Sequence, residues 1–214
     1  MKIKKNINHM IILIVLCFFF ITFSAISYAQ SVSKNLSSSV FRLHVIANSD
    51  SEEDQNLKYK VRDSLISYMN ELTHNLNDKD EVIKVSYDNL DNFKSIALKT
   101  VKDNGYNYPV TVEIGNFEFP TKTYGDISLP SGIYDALRVK IGEASGHNWW
   151  CVMFPPLCFV DVTSGVVPES SKEDLKENLT DEDYSLISNK DNITTLKFKI
   201  VELFRNFSLK VANK

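Results

Sequence analysis

Apolar residues in the first half of the chain recur at the two spacings typical of strands and helices. From Val40, the run VFRLHVIA alternates apolar and polar residues and then becomes apolar on both faces, which predicts a strand that enters a core. Ser51 and Asp54 form a capping-box pattern, so a helix should begin there. Apolar residues then recur at three- and four-residue steps from Leu57, which predicts a helix that runs to about Asn75.

A second helical pattern follows and then gives way to strand spacing. Apolar residues at helical steps cover residues 80–101, Asn104 and Gly105 should end this helix, and positions 88–89 are a place where it can break in two. Over residues 110–119 the apolar side chains occupy every second position, and a proline lies on either side. This stretch is typical of an antiparallel strand.

The second half of the chain predicts a hairpin and further helices. Residues 134–141 and 148–154 both have strand spacing, and a short turn at 142–146 would join them as a hairpin. A short helix is expected around 173–179, and residues 195–211 form a basic amphipathic helix pattern. We therefore expect an α+β fold, in which a mainly antiparallel sheet packs with two to three helices and a C-terminal amphipathic helix.

The N-terminal residues have the composition of a secretory signal peptide. Three lysines precede the apolar run Ile11 to Phe23, and the small residues Ser27 and Ala29 suit the −3 and −1 positions of a cleavage site. The prediction is a signal peptide over residues 1–29 and a secreted chain. The alternative is an uncleaved anchor over Met10 to Ile26, which lies at the lower edge of the length that spans a bilayer.

Charge and composition narrow the class of protein further. The chain has 214 residues, of which 43% are hydrophobic, and this composition excludes a fully disordered class. Its 24 basic and 27 acidic residues give a net charge of −3, so no basic excess is available to bind nucleic acid. Residues 30–39 are polar and Ser-rich and predict a flexible linker, followed by a single α+β domain over residues 40–214.

Two cysteines would remain after cleavage of the leader, because Cys17 leaves with it. A turn centred on Phe154 and Pro155 would place Cys151 and Cys158 opposite each other at a Cα separation that a disulfide accepts. An even number of cysteines in an exported chain favours a disulfide between them. The alternative is a pair of buried reduced thiols in a host that grows without oxygen.

The sequence contains residue types that could be catalytic, but not at the spacings that are typical of known catalytic or metal sites. His147 and Cys151 could be imagined as a Cys-His hydrolase, and His44 with His147 and a carboxylate as a metal site. In one strand, however, His147 and Cys151 would lie about 13 Å apart. The sequence contains no Walker loop, Gly-x-Gly-x-x-Gly, Gly-x-Ser-x-Gly or His-Glu-x-x-His. No catalytic residue, metal or other cofactor is therefore predicted.

A partner-binding surface is the better interpretation of the polar residues that flank the first and last predicted strands. Neighbouring strand residues face opposite sides of a sheet, so one tryptophan of the adjacent pair should enter the core while the other points outward as an interface anchor. The candidate partner-binding residues are Arg42, His44, Asn48, Asp50, His147, Trp149 and Trp150. The basic helix at the C-terminus is a further candidate, for contact with a membrane surface.

Four runs of residues together resemble the stage II sporulation protein R family. They are FRLHVIANSDSEEDQNLKYKVRD from Phe41, FPTKTYGDISLPSGIYDALRVKIG from Phe119, GHNWWCVMFPPLCFVD from Gly146 and LKFKIVELF from Leu196. The resemblance covers most of the chain from Val40 to Phe204. Ser131 stands where the family is expected to have Ala in a Pro-Ala-Gly turn, a small change without functional consequence.

The resemblance implies a signalling protein of endospore formers. Such a protein is made in the forespore, exported into the intermembrane space towards the mother cell, and required to switch on a membrane-embedded aspartic protease. That protease processes the pro-form of sigma-E, and its extracytoplasmic part would be the partner. The resemblance supplies no catalytic residues. The alternative is a secreted envelope hydrolase that uses a Cys/His or metal site.

Overall fold

The helices and strands lie mostly where the apolar spacing predicts them. The computed structural model describes residues 2–158, 167 and 169–188. The described helices are α1 (Lys2–Ser39), α2 (Glu52–Thr73), α3 (Lys79–Asp88), α4 (Leu90–Asp103), α5 (Glu169–Glu177) and α6 (Asp181–Ile187). The strands are β1 (Phe41–Ile46), β2 (Val110–Phe119), β3 (Lys122–Tyr124), β4 (Ile127–Leu129), β5 (Gly132–Ile141) and β6 (Asn148–Phe154). The expected α+β class is confirmed.

The ends of the helices follow from local hydrogen bonding. The Ser51 side chain accepts from the Asp54 backbone N–H at the start of α2, as the capping pattern predicts. The expected break is confirmed, because α3 ends at Asp88 and Asn89 separates it from α4. Gly105 has a φ of +85°, which a glycine adopts without strain, and it follows the end of α4. The helix expected over residues 195–211, and the membrane contact assigned to it, lie outside the described residues and stay predictions.

The sheet has the strand order β2-β5-β1-β6, and this order corrects the expected hairpin. Strand β1 lies between β5 and β6, pairing parallel with β5 and antiparallel with β6. Strands β2 and β5 pair antiparallel, so the sheet is mainly antiparallel as predicted. The physical reason for the central position of β1 is its burial, since every residue from Phe41 to Val45 is buried on one face or the other. Strands β3 and β4 form a separate two-stranded sheet.

Both faces of the four-stranded sheet are covered. One core contains Leu43 and Val45 of β1 and the apolar faces of α2, α3 and α4. The other contains Ala136 of β5 and Val152 of β6, together with residues of β4, α5 and α6. As a result, side chains on either face of β1 and β6 pack against other elements. This is the environment of both tryptophans of β6.

The segment expected to be a flexible linker is helical. Residues 30–39 form the last turns of α1, and Leu36 and Val40 are fully buried in the second core. Burial of Leu36 stabilises this part of the helix by about 2 kcal/mol, and Lys79 Nζ donates to the Ser37 backbone oxygen at 3.1 Å. Nearer the N-terminus, the apolar run from Met10 to Phe23 is exposed. In the described part of the chain, no helix has the length and apolar character to cross a membrane.

Candidate functional site

Two loops meet at one end of the sheet and form the region that we call the junction, residues 47–54 and 142–148. Asn48 connects them: its Oδ1 accepts from the Glu143 backbone N–H at 2.9 Å, and its Nδ2 donates to Asp54 Oδ2 at 2.8 Å. The Asn48 backbone oxygen also accepts from the Ser145 hydroxyl at 2.7 Å. Asn48, a candidate partner-binding residue, therefore has its side-chain groups engaged within the chain.

The two loops approach so closely that glycine is required at two positions. A Cβ on Gly146 would lie 2.1 Å from the Ser49 backbone oxygen. A Cβ on Gly142 would lie 2.1 Å from Asn48 Oδ1, and the φ of +59° at Gly142 is itself unfavourable for other residues. These contacts fix the position of the loop after β5 relative to the loop after β1.

Asp54 is a buried carboxylate that organises the start of α2. Its Oδ2 accepts from Asn48 Nδ2 and from the Ser49 hydroxyl, at 2.8 Å and 2.5 Å. Burial alone would raise the pKa of Asp54, but hydrogen bonds from Ser49, Asn48 and Tyr108 hold the pKa below its usual range. Asp54 therefore remains ionised and serves the fold.

Asp50 and His147 form an exposed pair on the outer side of the junction. Asp50 Oδ1 accepts from the His147 backbone N–H at 2.6 Å and from His147 Nδ1 at 2.5 Å. The two side chains are 56% and 77% exposed, so the pair is held in place while it remains accessible to a partner. Of the candidate residues, these two combine accessibility with a fixed position.

Lys58 of α2 ties the helix to the junction and was missed by sequence reasoning. Its buried Nζ donates to Gln55 Oε1 at 2.5 Å and to the His147 backbone oxygen at 3.1 Å. Burial lowers the pKa of Lys58, the positive charge of Arg62 lowers it further, and Asp50 opposes the shift. A lysine on the polar side of a predicted helix gives no signal in the sequence that distinguishes it from a solvated one.

Trp149 faces the helical side of the sheet next to α2. The Arg62 guanidinium lies 4.2 Å from the centre of the Trp149 ring, and Tyr59 meets the ring edge-on at 5.5 Å. Tyr59 is 37% exposed and was not among the predicted site residues. Tryptophan, tyrosine and arginine are the residue types enriched in interface hot spots. Lys58 links this group to the junction, because its Nζ lies 4.7 Å from the centre of the Tyr59 ring and donates to the His147 backbone oxygen.

Trp150 faces the other side of the sheet and packs there against other side chains. The expectation of one exposed tryptophan is therefore wrong. Its ring stacks on His44 at 3.6 Å and meets Phe119 at 4.6 Å, and both tryptophans are half-buried. The neighbouring positions do face opposite ways, but each face of the sheet is covered by other elements. Neither ring is a free-standing anchor.

His44 is a buried neutral imidazole. Its Nε2–H donates to Asn148 Oδ1 at 2.8 Å, as expected for a hydrogen-bonded strand residue. Burial lowers the pKa of His44 to about 4, the charges of Arg138, Lys140 and Arg42 act in the same direction, and the hydrogen bond to Asn148 opposes them. His44 is accordingly a packing residue rather than a surface contact.

Arg42 is fully buried and so does not lie on a binding surface. Its Nη2 donates to the Tyr124 hydroxyl at 2.6 Å, which in turn donates to the Trp150 backbone oxygen at 3.1 Å. The guanidinium carbon lies 4.0 Å from the centre of the Phe119 ring. Within the described residues, Nε and Nη1 of Arg42 have no hydrogen-bond partner and no carboxylate pairs with them. The alternation of β1 gave no sign that an arginine would be enclosed.

Cys151 and Cys158 are joined in a disulfide, with a Cα separation of 5.1 Å. Both cysteines are buried, whereas His147 is exposed at the junction. A sulfur in a disulfide is not a thiolate nucleophile, so this arrangement does not support a Cys151-His147 hydrolase. Among residues 2–158, 167 and 169–188, no three side chains of metal-binding type form a group that could hold an ion.

Comparison with known proteins assigns the chain to a family. Residues 37–164 match the family model described as Stage II sporulation protein R (spore_II_R). The chain belongs to this family. It is 38% identical over 138 residues to a Bacillus subtilis (strain 168) protein named Stage II sporulation protein R. That match covers 64% of this chain and 62% of the relative, and no solved structure matches the chain.

Membership of the stage II sporulation protein R family gives the chain a role in sporulation and confirms the resemblance of its motifs. The matched range, residues 37–164, contains the junction, the cysteine pair and the six strands that the structure describes. The Asp50–His147 pair and the residues around Trp149 therefore lie in the part of the chain that defines the family.

Proposed function

We propose that this sporulation protein is an exported signal that binds the extracytoplasmic part of a membrane-embedded aspartic protease. Binding would switch the protease on, and pro-sigma-E would then be processed in the mother cell. The place of action is the space between the forespore and the mother cell, which the chain reaches through the signal peptide predicted over residues 1–29. Membership of the family supports the sporulation role, and the pattern of the leader supports export.

The observation that carries the proposed binding role is the exposed Asp50–His147 pair beside the Tyr59 and Arg62 side chains. The pair is fixed by two hydrogen bonds, so a partner would meet it without a further loss of conformational freedom. Tyr59, which is 37% exposed, adds an aromatic side chain, and it packs against the half-buried side chains of Arg62 and Trp149. A protein that activates the protease by binding to it needs such a preformed surface and no catalytic group.

The test is pro-sigma-E processing in sporulating cells that carry His147→Ala or Asp50→Asn. Asp50→Asn retains an oxygen that accepts from the His147 backbone N–H but removes the charge. We expect each variant to weaken activation by about thirtyfold, the effect of losing a hot spot worth about 2 kcal/mol. His74→Ala is the matched control, because His74 is an exposed histidine at the far end of α2.

Secretion level and circular dichroism should be unchanged in all three variants. Normal processing with both His147→Ala and Asp50→Asn would place the activating surface elsewhere on the molecule. Loss of processing with His74→Ala as well would show that the assay reports general damage rather than a specific contact.

A further inference from the structure

A cleft of about 430 Å³ lies between β3 and the outer edge of β6. Strand β6 is the last strand of the four-stranded sheet, so the cleft opens along a sheet edge. Side chains from both strands line it, chiefly Lys122, Thr123, Tyr124, Asn148, Trp149 and Trp150. The walls therefore combine aromatic rings with polar groups and one cation.

Within the part of the chain that the structure describes, no carboxylate balances the charge of this cleft. Among the described residues that line it, Lys122 is charged and none is a carboxylate. Behind Tyr124 lies Arg42, whose Nη2 donates to the Tyr124 hydroxyl at 2.6 Å and whose Nε and Nη1 have no partner among the described residues. A buried guanidinium without a carboxylate is costly, because one hydrogen bond and contacts with aromatic rings replace only part of its lost hydration. The cleft is thus positive in a chain of net charge −3.

Two cations of β5, by contrast, do have a carboxylate partner. Arg138 and Lys140 share Glu113, at 2.8 Å and 3.2 Å. Asp126, which follows the lining residue Gly125 in the chain, is paired with Lys172 at 2.9 Å. A positive cleft with aromatic walls has the properties that attract a carboxylate carried on an extended, partly apolar chain.

Two carbonyl groups of β6 are already used near the cleft. The Trp150 oxygen accepts from the Tyr124 hydroxyl at 3.1 Å, and the Val152 oxygen accepts from the Leu157 backbone N–H at 3.0 Å. Strand addition relies on a row of free backbone groups along the edge strand. Recognition in this cleft therefore depends on side chains rather than on an added strand.

We propose that the cleft bounded by Lys122, Tyr124 and Trp150 binds an acidic, extended peptide segment of a protein partner. Lys122 pairs with a carboxylate at the rim, Arg42 supplies positive potential through Tyr124, and the Trp150 ring contacts apolar side chains of the peptide. This site adds to the Asp50–His147 surface, and its test does not depend on the proposed function because binding is measured with the isolated protein.

The probe is a fluorescein-labelled decapeptide of alternating glutamate and leucine, and its binding is followed by fluorescence anisotropy. We expect saturable binding that weakens as salt rises from about 50 to 500 mM, because both partners are charged. A decapeptide of alternating lysine and leucine should not bind. Lys122→Glu should weaken binding of the acidic peptide by at least about tenfold.

Lys94→Glu is the matched control, since Lys94 is an exposed lysine of α4 on the other side of the sheet. It makes the same change of net charge and should leave the affinity unaltered. Circular dichroism verifies the fold of both variants, and Lys122→Ala, which only removes the charge, should give an intermediate affinity.

Three outcomes would overturn the proposal. The first is an absence of saturable binding up to about 1 mM acidic peptide, and the second is equal binding by the acidic and basic peptides. The third is the same loss of affinity in Lys122→Glu and Lys94→Glu. Equal losses would show that the affinity depends on the net charge of the protein and not on the position of Lys122. Competition with glutarate separates the sources of carboxylate: if glutarate binds as tightly as the peptide, the occupant is a free small acid and not a peptide.

Discussion

Three polar side chains that the sequence marks as surface candidates are in fact part of the packed structure. Arg42 is enclosed by aromatic rings, His44 stacks on Trp150, and Asn48 joins two loops. Each of them makes hydrogen bonds inside the chain that a partner would have to break. Asp50 and His147 differ because their mutual hydrogen bonds leave both side chains exposed. At the residue scale, accessibility rather than polarity separates binding candidates from structural residues.

His44 gives the fold a dependence on pH. Its pKa is about 4 in the folded chain and about 6.5 when the chain is unfolded. Between these two values the unfolded chain binds the additional proton, so stability falls as pH decreases. The loss from His44 between pH 7 and pH 5 should be about 2 kcal/mol in the free energy of unfolding.

The measurement is urea unfolding of wild type and His44→Phe at pH 7 and pH 5. Phenylalanine retains a ring that stacks on Trp150 but cannot take up a proton, so the variant should lose about 2 kcal/mol less than wild type over this interval. The other titrating groups are common to both proteins and cancel in the comparison. Equal losses in the two proteins would show that His44 does not titrate between these pH values.

At the scale of elements, a substitution should lower the free energy of unfolding most where the two junction loops are in close contact. Gly146→Ala places a Cβ 2.1 Å from the Ser49 backbone oxygen, and backbone on both sides must shift. We expect the free energy of unfolding to fall by about 3 kcal/mol, as for other overpacked sites. Gly105→Ala is the matched control, since Gly105 has a φ of +85° but nothing within 4 Å of the added Cβ.

Gly105→Ala should cost only the strain of a positive φ, about 1 kcal/mol. Thermal and urea unfolding of the two variants give the comparison directly. A smaller loss in Gly146→Ala than in Gly105→Ala would contradict the account of the junction as a close-packed contact between loops.

The sequence pattern predicted where individual helices and strands lie better than it predicted which strands pair in the sheet. The alternation around β1 and the helical steps of α2 identified both elements, because each depends on residues close in the chain. The hairpin of β5 and β6 was wrong because period-two spacing does not state which strands pair. The apolar character of β1 on both faces was the signal for a central strand with two neighbours.

The candidate site was predicted in part, for a similar reason. The loops that carry Asp50 and His147 were identified from their polar residues, and the structure brings the two side chains together. Lys58, Tyr59 and Arg62 were missed because the polar side of an amphipathic helix has the same appearance in a sequence whether it faces solvent or another element. The burial of Arg42 depends on the packing of β3 against the sheet, which no local pattern encodes.

At the scale of the whole molecule, the disulfide distinguishes a ligand from a thiol enzyme. Cys151 and Cys158 lie seven positions apart, and a crosslink over so short a loop should stabilise the fold by about 2.5 kcal/mol through the unfolded chain. If the chain acts as a ligand, replacing both cysteines lowers stability but leaves the binding surface in place. If a cysteine is the nucleophile of a hydrolase, the same change removes all activity even in folded protein.

The experiment is Cys151→Ala with Cys158→Ala, measured by thermal unfolding and by pro-sigma-E processing at a temperature where the variant is folded. We expect a free energy of unfolding lower by about 2.5 kcal/mol and processing at the wild-type level for equal amounts of folded protein. Reduction of the wild-type protein is the control, because it opens the bridge without a change of sequence and should lower the stability by the same amount. Complete loss of processing by the folded double variant would favour the hydrolase, and unchanged stability would show that the bridge does not support the fold.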